Sequence, residues 1–379
     1  MVCLRKIKRI RIKPVFLSIL KGIGVVLCIF LCAFLFYRYQ ISSLKKIGYS
    51  EAASKNILFS KNKDRVLKIG ENKTLNSAFE SELFVDDYFD NYAKIKYREQ
   101  DHLIENINKL LKVGYSNNDI NIILSHGNDE AVSEFAKKKR VRYLEEFFSY
   151  DFAKLENYDR YVEYSDESGE DEYDTVIIVN LNLDKEDYED SEFVSKFSID
   201  MVINKHRNLA ENFVPNDLTE IPSDYAAEEG MQCSRLALNA FKEMSRAASD
   251  EGYGLVINSA YRSYQDQVDI QEFYLNAYGQ DYVNKYVAKP GYSEHQTGLA
   301  FDIGSRTSRI FESSREYKWI RENAHKYGFI MRFDERYEDL TGFRREPWHF
   351  RYVGREIAKY IYEHNNMSLE EYYALFLDK

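Results

Sequence analysis

The sequence predicts an α+β domain from about residue 197 to the end, preceded by one long apolar helix and a pair of small helical units. Three observations carry this. A helical pattern runs into an apolar strand over residues 233–263, and short alternating runs follow it. An almost unbroken apolar stretch fills residues 15–37. A segment in which Gly-Tyr-Ser follows an apolar helical pattern occurs twice, with Gly48 matching Gly114, 66 positions on.

The N-terminal elements come first. Residues 1–14, MVCLRKIKRIRIKP, hold six Lys or Arg and no acid and are expected to form a cytoplasmic basic tail. The stretch after them, Val15 to Tyr37, is apolar apart from Lys21, Ser18 and Tyr37. As a helix it would rise about 35 Å, against a hydrocarbon core of about 30 Å. No A-x-A-like cleavage site precedes Tyr37, so a transmembrane anchor over 15–37 is expected rather than a signal peptide or a buried core helix. The basic flank places the N-terminus in the cytoplasm and all that follows Tyr37 outside. Cys3, Cys28 and Cys32 lie before or within the span, which leaves Cys233 alone beyond it. One cysteine makes no intrachain disulfide, so the outer part must fold on packing or metal, with Cys233 a small buried residue.

Residues 38–165 are expected to be a helical repeat or spacer region. LKKIGYSEAASKNIL (Leu44–Leu58) parallels LLKVGYSNNDINIIL (Leu110–Leu124), and in each copy the serine is placed to cap the next helix. Tyr164–Asp174, YSDESGEDEYD, reads as a solvated acidic loop, and TVIIVNLNL (Thr175–Leu183) as a buried strand rich in β-branched residues. The linker Asn212–Asp224 carries two of the five prolines. Cys233–Gly252 has apolar residues at helical spacing and stops at a glycine, and Gly254–Ser263 reads as a strand entering a loop. With 44% hydrophobic residues the chain has material for a core, and a net charge of −10 argues against a general nucleic-acid binder.

The chemistry concentrates in GYSEHQTGLAFDIG, Gly291–Gly304. Strand alternation sends Leu299, Phe301 and Ile303 one way and Ala300, Asp302 and Gly304 the other. Asp302 thus stands among small neighbours, with room for an ion, and His295 lies in the loop feeding the strand. A third piece is EPWHFRYVG, Glu346–Gly354, in which His349 opens an alternating run. Pro347 cannot donate a ladder bond, which puts Glu346 on the turn entering that strand. Two imidazoles and a carboxylate make a three-ligand zinc site with an open position for water, and a carboxylate outside the ligand set suits a proton shuttle. The competing reading is a histidine closing a turn and an aspartate capping one.

SAYRSYQDQ (Ser259–Gln267), GYSEHQTGLAFDIG and EPWHFRYVG resemble, in order and spacing, the signature blocks of VanY-type D-alanyl-D-alanine carboxypeptidases and LdcB-type L,D-carboxypeptidases. The resemblance covers residues 170–379. It implies the zinc peptidase fold of the Hedgehog/DD-peptidase type, an α+β unit around an antiparallel sheet. It also implies one Zn2+ on His295, Asp302 and His349, Glu346 as catalytic base, and Arg262 holding substrate and oxyanion. Gln267 and Ser293 match positions that hold the C-terminal end of a peptidoglycan stem peptide. The expected function is removal of the terminal D-alanine outside the cell. L,D-cleavage of a tetrapeptide stem and a non-catalytic wall-binding module are the alternatives. Trp348 and Phe350 are read as packing residues and Glu294 as facing solvent. His102, His126, His206, His325 and His364 are read as structural or exposed.

Overall fold

A computed structural model describes residues 14–378 except residue 140; most of the expected basic tail and Cys3 lie outside the described residues. The chain divides into two compact units, one ending at Phe148 and one spanning Ser149–Lys379.

The first unit is helical. Helix α1 (Pro14–Ile47) contains a stretch, Lys21–Ile47, long and apolar enough to cross a membrane, with mean hydropathy 2.0 and none of its most apolar window buried. The helix outruns the expected span by ten residues. Its last turns carry buried Ile41 and Leu44, so that end packs on protein. Gly48 then takes φ +114°, a turn that sterics deny most side chains, and Ser50 Oγ accepts from Ala53 N to start α2 (Glu51–Phe59). The second copy repeats the device. Helix α3 (Leu103–Val113) stops at Gly114, φ +106°, and Ser116 closes a reciprocal capping box with Asp119 at the head of α4 (Asn117–His126). Side-chain bonds tie successive short helices at still closer spacing. Thr74 Oγ1 donates to Ile95 O, 21 residues on, and Asn106 Nδ2 to Asp129 Oδ1, 23 residues on. The two copies therefore sit in a longer series with a shorter step.

The second unit opens with two corrections. Residues 175–183 are not a strand; helix α5 (Glu172–Asn180) covers most of them. Asp171 caps it by accepting from Asp174 N, and every residue from Thr175 to Asn180 is buried. A helix buried all round shows no amphipathic period, so the β-branched run reads as strand. Nor is Tyr164–Asp174 simply a loop. A helix over Tyr158–Ser168 ends at Gly169, φ +73°, two residues before the Asp171 cap.

The core of the unit is a four-stranded antiparallel sheet. Its strands are β1 (Leu255–Ser259), β2 (Ala300–Ser305), β3 (Phe329–Met331) and β4 (His349–Tyr352), in the spatial order β1-β2-β4-β3. Helix α6 (Arg235–Asp250) lays Ala237, Phe241, Met244 and Ala248 on one face of it. Phe241 meets Phe301 edge to face at 5.8 Å, with Phe329 and Phe350 fully buried around them. Cys233 belongs to this cluster. The core fixes Phe301 against Phe350 in register, and so sets Asp302 directly opposite His349 on the other face.

Candidate active site

Each site residue is delivered by a short local device. Beyond β1, Arg262 N donates to His295 O at 3.2 Å, joining two of the motif segments. Ser263 then caps α7 (Tyr264–Tyr278) with Asp266 in a capping box, which turns Gln267 inward. Ser293 heads a single 3-10 turn, Glu294–Thr297, its Oγ accepting from His295 N at 3.4 Å. Gly298, φ +68°, ends that turn, and a Cβ there would stand 3.0 Å from Ser234 N. This tight turn folds His295 back over β2. Glu346 precedes the turn through Pro347, and its backbone carbonyl accepts from His349 N at 3.1 Å, as the bent entry requires.

His295 Nε2, Asp302 Oδ1 and His349 Nδ1 converge, each such ligand atom lying within 4.8 Å of the others. Asp302 Oδ1 is 3.5 Å from the first and 3.3 Å from the second. The far side of each ring is tied. His295 Nδ1 pairs with Ala260 O at 2.6 Å and His349 Nε2 with Glu294 Oε2 at 3.3 Å. Both partners are acceptors, so each far nitrogen carries a proton; the inward nitrogen of His295 is then a free lone pair, and that of His349 becomes one once a bound cation displaces its proton. His295 Nε2 and Asp302 Oδ1 are buried with no hydrogen-bond partner. Unsatisfied buried polar atoms are costly and rare. Two of them aimed at one point, beside the inward nitrogen of His349, fit a divalent cation. Two nitrogens and one carboxylate oxygen are a donor set that suits zinc.

Electrostatics follow the same geometry. Burial pushes His295 down to about 4, with the Arg262 charge assisting, which favours a neutral ligand. Burial also opposes charge on His349, but the Asp302 and Glu294 carboxylates beside it outweigh that and push it up to about 9, a proton that a bound cation would displace. Asp302 is held well below the usual carboxylate range; burial opposes this, and the two histidines win. Glu346, 3.5 Å from His349 Nδ1, is pushed by burial up to about 7. A cation in the cradle would favour its charged form.

Arg262 lies alongside. Its Nη1 donates to Gln267 Oε1 at 3.1 Å, its Nη2 to Asp302 Oδ2 at 3.5 Å and its Nε to Ser259 Oγ at 3.3 Å. Gln267 is held in turn through its amide, which donates to Ala288 O. All seven motif residues (Arg262, Gln267, Ser293, His295, Asp302, Glu346 and His349) line one cavity of about 300 Å³.

Two neighbours differ from expectation. Glu294 does not face solvent. Its side chain is 1% exposed, paired with Arg332 and Arg351 and bonded to His349. Trp348 is 42% exposed and lines the cavity beside Tyr282, Tyr286 and Tyr292. It sits in the turn before β4, outside the alternation that buries Phe350. The four-residue spacing of Tyr274, Tyr278, Tyr282 and Tyr286, of which all but Tyr278 line the cavity, was the available signal for that wall. Among the other histidines, His325 stacks on Tyr362, His364 on Tyr360, and His206 is buried.

Comparison with known proteins points the same way. A family model described as VanY, D-alanyl-D-alanine carboxypeptidase, matches residues 231–355. "Putative carboxypeptidase YodJ" of Bacillus subtilis (strain 168) is 42% identical over 180 residues, covering 45% of this chain and 66% of that protein. The "Bifunctional D-Ala-D-Ala dipeptidase and D-Ala-D-Ala carboxypeptidase VanXYC" of Enterococcus gallinarum is 31% identical, covering 45% of this chain and 92% of that protein. A solved structure of the LdcB LD-carboxypeptidase is 37% identical, covering 50% of this chain and 92% of its own, with TM-score 0.45. The chain spans between about half and two thirds of the length of the first curated relatives it matches. With nearly the whole of one relative matched, and the family model laid over the segments that build the site, this chain belongs to the VanY family of D-alanyl-D-alanine carboxypeptidases.

Proposed function

We propose that this chain is a membrane-anchored zinc carboxypeptidase that removes the C-terminal D-alanine from peptidoglycan stem peptides. The observation that carries the reading is the pair of buried, partnerless ligand atoms, His295 Nε2 and Asp302 Oδ1, set beside His349 Nδ1 and Glu346 in an open cavity. A structural histidine–aspartate pair would use its own hydrogen bonds; this arrangement leaves them unused. On this reading residues 170–379 form the catalytic domain and 38–165 a spacer. Residues 15–37 cross the membrane with the N-terminus inside, supported by the apolar helix and its basic flank.

His295, Asp302 and His349 would hold the ion, which supplies Lewis acidity toward a carbonyl oxygen and lowers the pKa of water. Glu346 takes the proton of the attacking water and delivers it to the leaving amine nitrogen, a role open to a carboxylate that lines the cavity beside His349 and is outside the ligand set. Arg262 presents its planar fork to the negative charge of the reacting oxygen or of the terminal carboxylate. Gln267 and Asp302 keep that fork in place. Ser293 stands at the cavity wall for the C-terminal end of the peptide.

Incubating the purified protein with pentapeptide and tetrapeptide stems side by side, with products identified by mass, tests the reading. Loss of one alanine from the pentapeptide is expected. Cleavage of the tetrapeptide alone would replace it by L,D-specificity, and no product from either would remove catalysis. Glu346→Ala should retain metal while turnover falls by on the order of 10²–10⁴.

A further inference from the structure

The family match ends at residue 355, yet a charge beyond it reaches the site. Helix α8 (Leu369–Phe376) begins at Ser368, which caps it with Glu371, and its second residue, Glu370, points into the protein with its side chain fully buried. Both Glu370 oxygens are taken by Arg332: Nη1 donates to Oε2 at 2.8 Å and Nη2 to Oε1 at 2.5 Å. Asn204 Nδ2 adds a bond to Oε1 at 3.1 Å. The third nitrogen of Arg332, Nε, donates to Glu294 Oε1 at 2.9 Å, where Arg351 Nη1 also donates at 2.9 Å. Glu294 Oε2 is thereby left for His349 Nε2.

This division of contacts has a physical consequence. A guanidinium is planar, so fixing its two outer nitrogens on Glu370 fixes the direction of Nε. That direction orients the Glu294 carboxylate, and the carboxylate sets the tautomer and plane of His349. Packing alone would not call for such a chain. Two glutamates and two arginines are costly to desolvate, and apolar residues of similar volume often serve stability as well.

We infer that Glu370 is a positioning residue of the metal site, acting on His349 through Arg332 and Glu294; the inference rests on the metal-site reading above. The C-terminal helix is then a working part of the site rather than a flanking element.

Zinc affinity of the full chain in detergent, measured by competition with a chromogenic chelator, tests it. Glu370→Gln keeps the shape and removes the charge, and it should weaken zinc binding by about 10–100-fold. Leu369→Ala, which opens a hole in the packing of the same helix, should lower the melting temperature and leave zinc affinity unchanged. Should Glu370→Gln not fold, Glu370→Asp, which retains the charge on a shorter arm, is compared with Leu369→Ala in the same way. The inference is overturned if the Glu370 variant binds zinc as wild type does. It is equally overturned if Leu369→Ala loses as much affinity as the Glu370 variant at a matched melting temperature. A wild-type chain that takes up no divalent ion is a different result, which removes the metal-site reading itself.

Discussion

The imidazole of His295 meets that of His349 edge to face, with ring centroids 4.9 Å apart and planes at 87°. That angle lets two side chains from distant segments send one nitrogen each toward Asp302 while their other nitrogens stay bonded to Ala260 and Glu294. Each ring is held through its far nitrogen, so the site needs little rearrangement to accept an ion.

Removing the carboxylate between the rings should abolish retention of that ion. For Asp302→Ala, metal content after dialysis is expected to fall from about one zinc per chain to near none, because two imidazoles alone make a poor site. Elemental analysis of the purified variant checks this. Retained stoichiometric zinc would show that the three groups do not act together.

Arg262 offers five N–H donors in one plane, three of them already used to aim it at the cavity. Arg262→Lys keeps a charge and loses the fork. A fall in kcat/KM on the order of 10²–10³ with unchanged metal content is expected from loss of one oriented donor to a developing anion. Steady-state kinetics on a stem peptide decide it.

Glu294 neutralises two fully buried arginines, Arg332 and Arg351. Its own carboxyl is held far below the ordinary range, the arginine charges outweighing the cost of burial. Glu294→Ala would leave Arg351 with no carboxylate and Arg332 with Glu370 alone, and should destabilise the domain by about 3–5 kcal/mol. A urea midpoint shift of that size, at unchanged slope, is the expected reading.

Burial pushes the Cys233 thiol up to about 12, with the nearby Asp217 charge adding to the effect. Iodoacetamide at pH 8 should therefore leave Cys233 unmodified in the folded protein and label it after denaturation, as peptide mass mapping would show. The sign for stability follows from the raised value. The contribution of the neutral thiol is complete below about pH 8.5, the unfolded value, and is lost as pH rises toward 12.

The residues most legible in the sequence were those whose position depends on a local rule. Alternation in GLAFDIG separates Asp302 from the core face, and Pro347 bends Glu346 toward His349; the sheet obeys both. What escaped was set by distant partners. Thr175–Asn180 is helical because neighbours bury every side of it, which erases the periodicity that would have marked a helix. Glu294 looks like a surface residue until Arg332 and Arg351, 38 and 57 positions later, fold against it. Three tyrosines beside the cavity, Tyr274, Tyr282 and Tyr286, belong to a helical repeat, but the function of such a stripe depends on what it faces.

The pairing of Asp302 with His349 across β2 and β4 has a consequence for folding fidelity. A slip by a single position would bring Asp302 opposite Phe350 or Trp348 and turn the carboxylate toward the apolar layer. Misthreaded chains would thus lose the ability to capture an ion, and with it the extra free energy that ligation gives the native state. On the metal-site reading, ion capture would then favour those molecules whose β2 and β4 have paired in the right frame.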